Sequence, residues 1–81
     1  MMSNPENILL LHEAIAVVLL TKENKSAYLK DIAAEIKRRN LYKRKDGTYP
    51  TIGQVRLRIS KSNGQYVHLF GFRKPDIVWL R

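Results

Sequence analysis

The sequence predicts a small α+β domain, mostly helical: three helices followed by a C-terminal two-stranded β-hairpin. Three observations predict it. Apolar residues recur at helical spacing in three segments before Lys61, and the pattern changes to aromatic and β-branched runs after Gly64. Third, the chain has 81 residues and no cysteine, so neither a disulfide framework nor a thiolate zinc site organises it. Domains run to roughly 100–150 residues, so residues 1–81 are read as one domain.

The first helix is expected over about residues 5–21. Asn4 caps it, Pro5 suits its first position, and Glu6 favours its positive end. Ile8, Leu11, Ile15, Val18 and Leu19 form an apolar face, which Leu9, Leu10, Val17 and Leu20 widen until the helix reads as largely buried. His12 and Glu13 fall on its polar side, His12 as a surface or interface histidine.

Residues 21–26 read as a polar connection. The second helix is expected over about residues 29–40, with Leu29, Ile32, Ala33 and Ile36 on one stripe. Lys30, Glu35, Lys37, Arg38 and Arg39 face outward and load the C-terminal end with cations. Asn40 tolerates the left-handed conformation that ends helices, and Leu41 folds back after it. Residues 43–50 form a basic turn around Asp46-Gly47.

The third helix is expected over about residues 51–62, opened by a capping box of Thr51 and Gln54. Ile52, Val55 and Ile59 are placed inward; Gln54, Leu57, Arg58 and Lys61 are placed opposite, with Arg56 at the edge. Ser62-Asn63-Gly64 ends the helix. A hairpin is expected over about residues 65–80, its strands Gln65–Phe70 and Ile77–Leu80 joined by Gly71–Asp76 with Arg73 and Lys74 at the tip. Leu69, Phe70 and Trp79 are assigned to the core.

Charge is unevenly distributed. The chain carries 15 Lys+Arg against 7 Asp+Glu, a net charge of +8. Lys37, Arg38, Arg39, Lys43, Arg44, Lys45, Arg56, Arg58 and Lys61 fall within residues 37–61, with Asp46 the one acid among them. One sign of charge concentrated in a third of the chain is the footprint of a phosphate-backbone binder. A solvated face that keeps a small protein in solution is the bland alternative. The most apolar run, Ala14 to Leu20, is far shorter than the about 20 residues of a spanning helix, and the N-terminus lacks a signal-peptide pattern. A cytoplasmic protein is expected, nucleoid-associated if bacterial, with no membrane partner.

Helix, helix, turn, helix, hairpin is the order of a winged helix-turn-helix, in which the third helix enters the major groove and the wing touches the neighbouring backbone or minor groove. Several strings are similar to a HARE-type helix-turn-helix domain: Leu11-His-Glu-Ala-Ile15, Ile32-Ala-Ala-Glu-Ile36, Arg39-Asn-Leu-Tyr42-Lys-Arg-Lys-Asp46-Gly47, Pro50, Gln54-Val-Arg56-Leu-Arg58-Ile59 and His68-Leu-Phe70. The resemblance spans residues 9–81 and lies nearest the bacterial restriction-endonuclease-associated branch. After Ile59 the chain departs from the family pattern, with a longer stretch before His68 and a longer wing. The resemblance implies a DNA-binding role, in transcription regulation or in targeting a restriction-type system, and it marks Gln54, Arg56 and Arg58.

On this reading Arg58 is a base contact, bidentate to guanine, with a phosphate contact or an internal ion pair as the alternative. Gln54 is a second base contact, to adenine, for which the capping box competes. Lys43, Arg44, Lys45, Lys61, Arg73 and Lys74 contact the phosphate backbone as point charges or forks. Thr51 offers its hydroxyl at a helix start, and Arg56 reaches phosphate or a local carboxylate. Leu57 on the DNA face touches a thymine methyl, a dimer partner or the underside of the wing. Tyr42 and Tyr49 either stack on bases or pack the basic turn against the third helix.

Catalysis has little support. His12 and His68 sit on separate elements, as do Asp31, Glu35, Asp46 and Asp76, so no enzyme activity, metal site or cofactor is expected. Double-stranded DNA is the expected partner. The alternative is a protein-interaction winged helix that forms a homodimer or docks a larger protein. RNA is the weaker option, because a helix does not fit the narrow major groove of A-form duplexes.

Overall fold

The first helix, α1, runs Leu11–Leu20 in a computed structural model that describes residues 8–60, 69–73 and 75–81. It starts later than the sequence predicts: residues 8–10 are not helical, and Ile8 is 96% exposed rather than part of the apolar face. The reason is local. Glu13 reaches back so that its carboxylate accepts the Leu10 backbone N–H at 2.8 Å, which caps the helix at that point. The Asn4-Pro5-Glu6 signal lies outside the described residues. Leu10 and Leu20 are exposed, so the apolar face is narrower than expected and centres on Leu11, Ala14, Ile15, Val18 and Leu19.

The connection after α1 contains an element the sequence reading lacks. A 3-10 turn at Glu23–Lys25 takes Asn24 and Lys25 through left-handed φ values of 59° and 52°. The chain then extends as β1, Ser26–Tyr28. The second helix, α2, follows at Leu29–Arg39. Its end is as expected: Asn40 is left-handed, with φ 54° and ψ 46°. The Leu41 N–H donates to the Ile36 carbonyl at 2.9 Å and the Asn40 N–H to that of Lys37 at 3.1 Å, the Schellman pattern.

The basic turn closes on itself. The Arg44 N–H donates to the Thr48 carbonyl at 2.8 Å, Gly47 takes φ +86°, and the Asp46 carboxylate accepts both the Thr48 N–H and its hydroxyl. The third helix, α3, spans Ile52–Ser60. The capping box is present: the Thr51 N–H donates to Gln54 Oε1 at 2.8 Å and the Gln54 N–H to Thr51 Oγ1 at 3.2 Å.

The last two strands are β2, Phe70–Arg73, and β3, Ile77–Leu80. They pair antiparallel, with Gly71 opposite Trp79 and Phe72 opposite Val78. Among the described residues the sheet has three strands rather than the expected two, in the order β1-β3-β2. Strand β3 is central because its other edge takes β1, with Ala27 opposite Val78. Three residues are too few to carry a strand's alternating signal; β1 exists because β3 offers backbone partners. The Leu29 N–H, where α2 begins, donates to the Asp76 carbonyl at 2.8 Å and binds the hairpin turn to the helix start.

One core joins these layers. Ile15, Val18 and Leu19 of α1, Ile32 and Ile36 of α2, Val55 and Ile59 of α3, Phe70 of β2 and Val78 of β3 are buried together. Each fully buried aliphatic side chain contributes roughly 1.5–3 kcal/mol of transfer free energy, so the three helices and the sheet depend on one another. Ile52, expected to face inward, is 49% exposed: it lies on the inward side, about 40° from the Val55–Ile59 midline, but at the first position of α3. Trp79, assigned to the core, is only half-buried and lies over Gly71.

Candidate nucleic-acid interface

Three segments hold the predicted contact residues: the basic turn, α3 and the end of β2. In the turn, Lys43 places its ammonium 5.4 Å from the centroid of the Tyr49 ring. Arg44 lies 3.6 Å from the Asp46 carboxylate. Lys45 is exposed. Hydrogen bonds from Thr48 and the nearby Arg44 hold the Asp46 carboxyl below the usual range, so this acid stays charged and offsets part of the turn's positive potential. The Tyr49 hydroxyl donates to Asn40 Oδ1 at 3.0 Å, and Tyr42 packs on the core. Both tyrosines are thus committed to holding the turn against the rest of the fold.

On α3 the geometry differs from expectation. At 100° per residue, the midline of Val55 and Ile59 puts Leu57 directly opposite the core and Arg56 and Arg58 about 100° to either side of Leu57. Leu57 is accordingly 55% exposed. Arg58, placed opposite the core on the sequence, instead lies on the flank, half-buried, with its Nε enclosed. Helical geometry alone accounts for this: even on the axis through Ile52, Val55 and Ile59, Arg58 falls about 90° from the outward direction, so its placement opposite the core is corrected to the flank.

Arg56 is exposed, and its guanidinium carbon sits 5.6 Å from the centroid of the Phe72 ring on β2. The guanidinium is thereby drawn toward the hairpin, beside the element that carries exposed Arg73. Gln54 has its amide oxygen engaged by the Thr51 N–H, which takes up the acceptor half of a two-pronged adenine contact. The Thr51 hydroxyl receives the Gln54 N–H. Lys61, Lys74 and His68 lie outside the described residues.

Two features escaped the sequence reading. Phe72 is a platform for Arg56, which only the pairing of α3 with β2 reveals. Glu35 collects two of the cations counted in the basic run: Arg38 donates to it through Nη2 at 2.7 Å and Nε at 3.1 Å, and Arg39 through Nε at 2.9 Å. Those bonds, Arg38's first, lower its pKa to about 2 from 4.5. The spacings of three and four residues were the available signal. Arg39 also donates to Thr21 Oγ1 at 3.0 Å, at the end of α1. Arg38 and Arg39 are therefore structural ion-pair partners first.

Among the described residues no His, Asp and Glu side chains gather in a group of three that could hold a metal ion, and no helix is long and apolar enough to cross a membrane. The chain matches no protein-family model, and it has no significant match among curated proteins or solved structures.

Proposed function

We propose that this chain is a winged-helix domain that binds double-stranded DNA, with α3 in the major groove and the basic turn and the β2–β3 hairpin on the backbone, serving a regulator or a targeting module. The observation that carries the reading is the character of one surface. Gly53, Arg56, Leu57 and Ser60 of α3 are exposed together with Arg73, and neither α3 nor β2 contains a carboxylate. A helix about 10–12 Å across with its side chains suits a groove about 12 Å wide, and arginines on both flanks suit its phosphate walls.

The order α1, β1, α2, α3, β2, β3 supports the winged-helix layout, with β1 joining the hairpin as a third strand. The resemblance to HARE-type domains agrees with it. Phosphate contacts come from Lys43, Lys45, Arg56 and Arg73, with the half-buried Arg58 on the opposite flank of α3.

Titrating a labelled 20-base-pair duplex at several salt concentrations tests the proposal. If about six phosphates are neutralised, log K falls against log salt with a slope near −5. Affinity that ignores salt, or no binding at low salt, overturns it. Exposed Leu57 favours a second reading, in which this face docks a protein; its signature is self-association, lost in Leu57→Ala, without duplex binding.

A further inference from the structure

We propose that α3 reads thymine methyl groups through Leu57, so that A·T-containing duplex is the favoured ligand. This inference rests on the major-groove reading above and assigns the residue that meets the groove floor. Leu57 stands opposite the Val55–Ile59 midline and is 55% exposed, while positions 56 and 58 fall about 100° to either side of it, Arg56 exposed and Arg58 half-buried. A helix lying in the groove with its cations toward the phosphate walls brings Leu57, not an arginine, to the base edges.

An isobutyl group neither donates nor accepts a hydrogen bond. The one apolar feature that unmodified base pairs present in the major groove is the C5 methyl of thymine. Gln54 does not oppose this: with its amide oxygen held by Thr51, its NH2 still donates, and thymine O4, adenine N7 and guanine O6 and N7 all accept, so the preference falls to Leu57.

Gly53, one turn before Leu57 on the same face, adds a second observation. A Cβ at that position meets only Thr51 Oγ1, at 3.8 Å, an ordinary contact. Packing gives no reason for a glycine there, and glycine disfavours helix relative to alanine. Its effect is to lower the helix surface beside Leu57 and let base edges approach.

A protein ligand fits this face less well. Ile52, the other exposed aliphatic residue of α3, lies about 140° from Leu57 around the helix, so the two do not merge into an apolar patch. Burial against an apolar protein surface also desolvates Arg56. A polyanion with an apolar spot on its floor satisfies both the leucine and the arginines.

The test compares two 20-base-pair alternating duplexes of identical hydrogen-bonding pattern, one with thymine and one with deoxyuridine throughout, at one low salt concentration. The thymine duplex is expected to bind about fourfold more tightly per contacted methyl, from the transfer free energy of one such group. Leu57→Ala, at an exposed position, is expected to keep its circular-dichroism spectrum, still bind both duplexes, and lose the difference. Equal binding of the two duplexes by the wild type overturns the inference and leaves the DNA reading standing. So does a difference that survives in Leu57→Ala. Binding of neither duplex overturns both.

Discussion

The Arg56 guanidinium lies over the Phe72 ring, 5.6 Å from its centroid, and so joins the exposed side of α3 to β2. This contact links an element that presents charge to the hairpin beside it, and it fixes the direction in which an otherwise mobile side chain leaves the helix. An exposed cation–π pair is worth about 0.5–1 kcal/mol. Phe72→Leu keeps an apolar side chain on the sheet but removes the ring's charge distribution. Duplex affinity is expected to fall about two- to fivefold in this variant, read by anisotropy titration; unchanged affinity means that the ring does not position Arg56 for binding.

Gly53→Ala separates stability from binding. Alanine at an exposed helical position is favoured over glycine by about 0.5–1 kcal/mol, and the site has room for the methyl. Urea denaturation is expected to show a more stable domain, whereas duplex titration shows weaker binding. A variant that is more stable and binds equally well places the DNA contact elsewhere.

Gly71 is different in kind. It is buried opposite Trp79 in the β2–β3 register, and a Cβ on it falls within the indole ring. Gly71→Ala therefore forces the tryptophan or the strand aside, at a cost of about 1–3 kcal/mol. Trp79 is the one tryptophan of the chain, so its fluorescence reports the displacement directly. A spectrum and a urea midpoint like those of the wild type contradict the packing described.

Glu35 makes stability depend on pH in a defined window. Its folded pKa is about 2, below the ordinary 4.5, chiefly through hydrogen bonds from Arg38. A depressed carboxylate pKa means that the unfolded chain binds more protons in this range, so the contribution is present above about pH 4.5 and disappears as pH falls toward 2. The stability difference between wild type and Glu35→Gln is expected to shrink across that interval, and to shrink also with added salt because the pair is partly solvated. A difference that stays constant from pH 6 to pH 2 assigns the ion pairs no role in folding.

Much of this protein was determined by local chemistry that the sequence displays. The Thr51–Gln54 capping box, the left-handed Asn40 with Leu41 folded behind it, and the Asp46-Gly47 turn each depend on residues within a few positions, and each is found where the sequence predicts it. The three apolar stripes likewise identify most of the core. Tertiary structure decided the rest. Strand β1 forms because β3, some fifty residues later, offers its free edge. Neighbouring elements likewise enclose the Arg58 Nε and seat the Arg56 guanidinium over Phe72, whereas Leu57 is outward as the periodicity predicts. Periodicity fixes the angle at which a side chain leaves its helix, whereas what encloses or partners it comes from segments distant in sequence, and only packing supplies that.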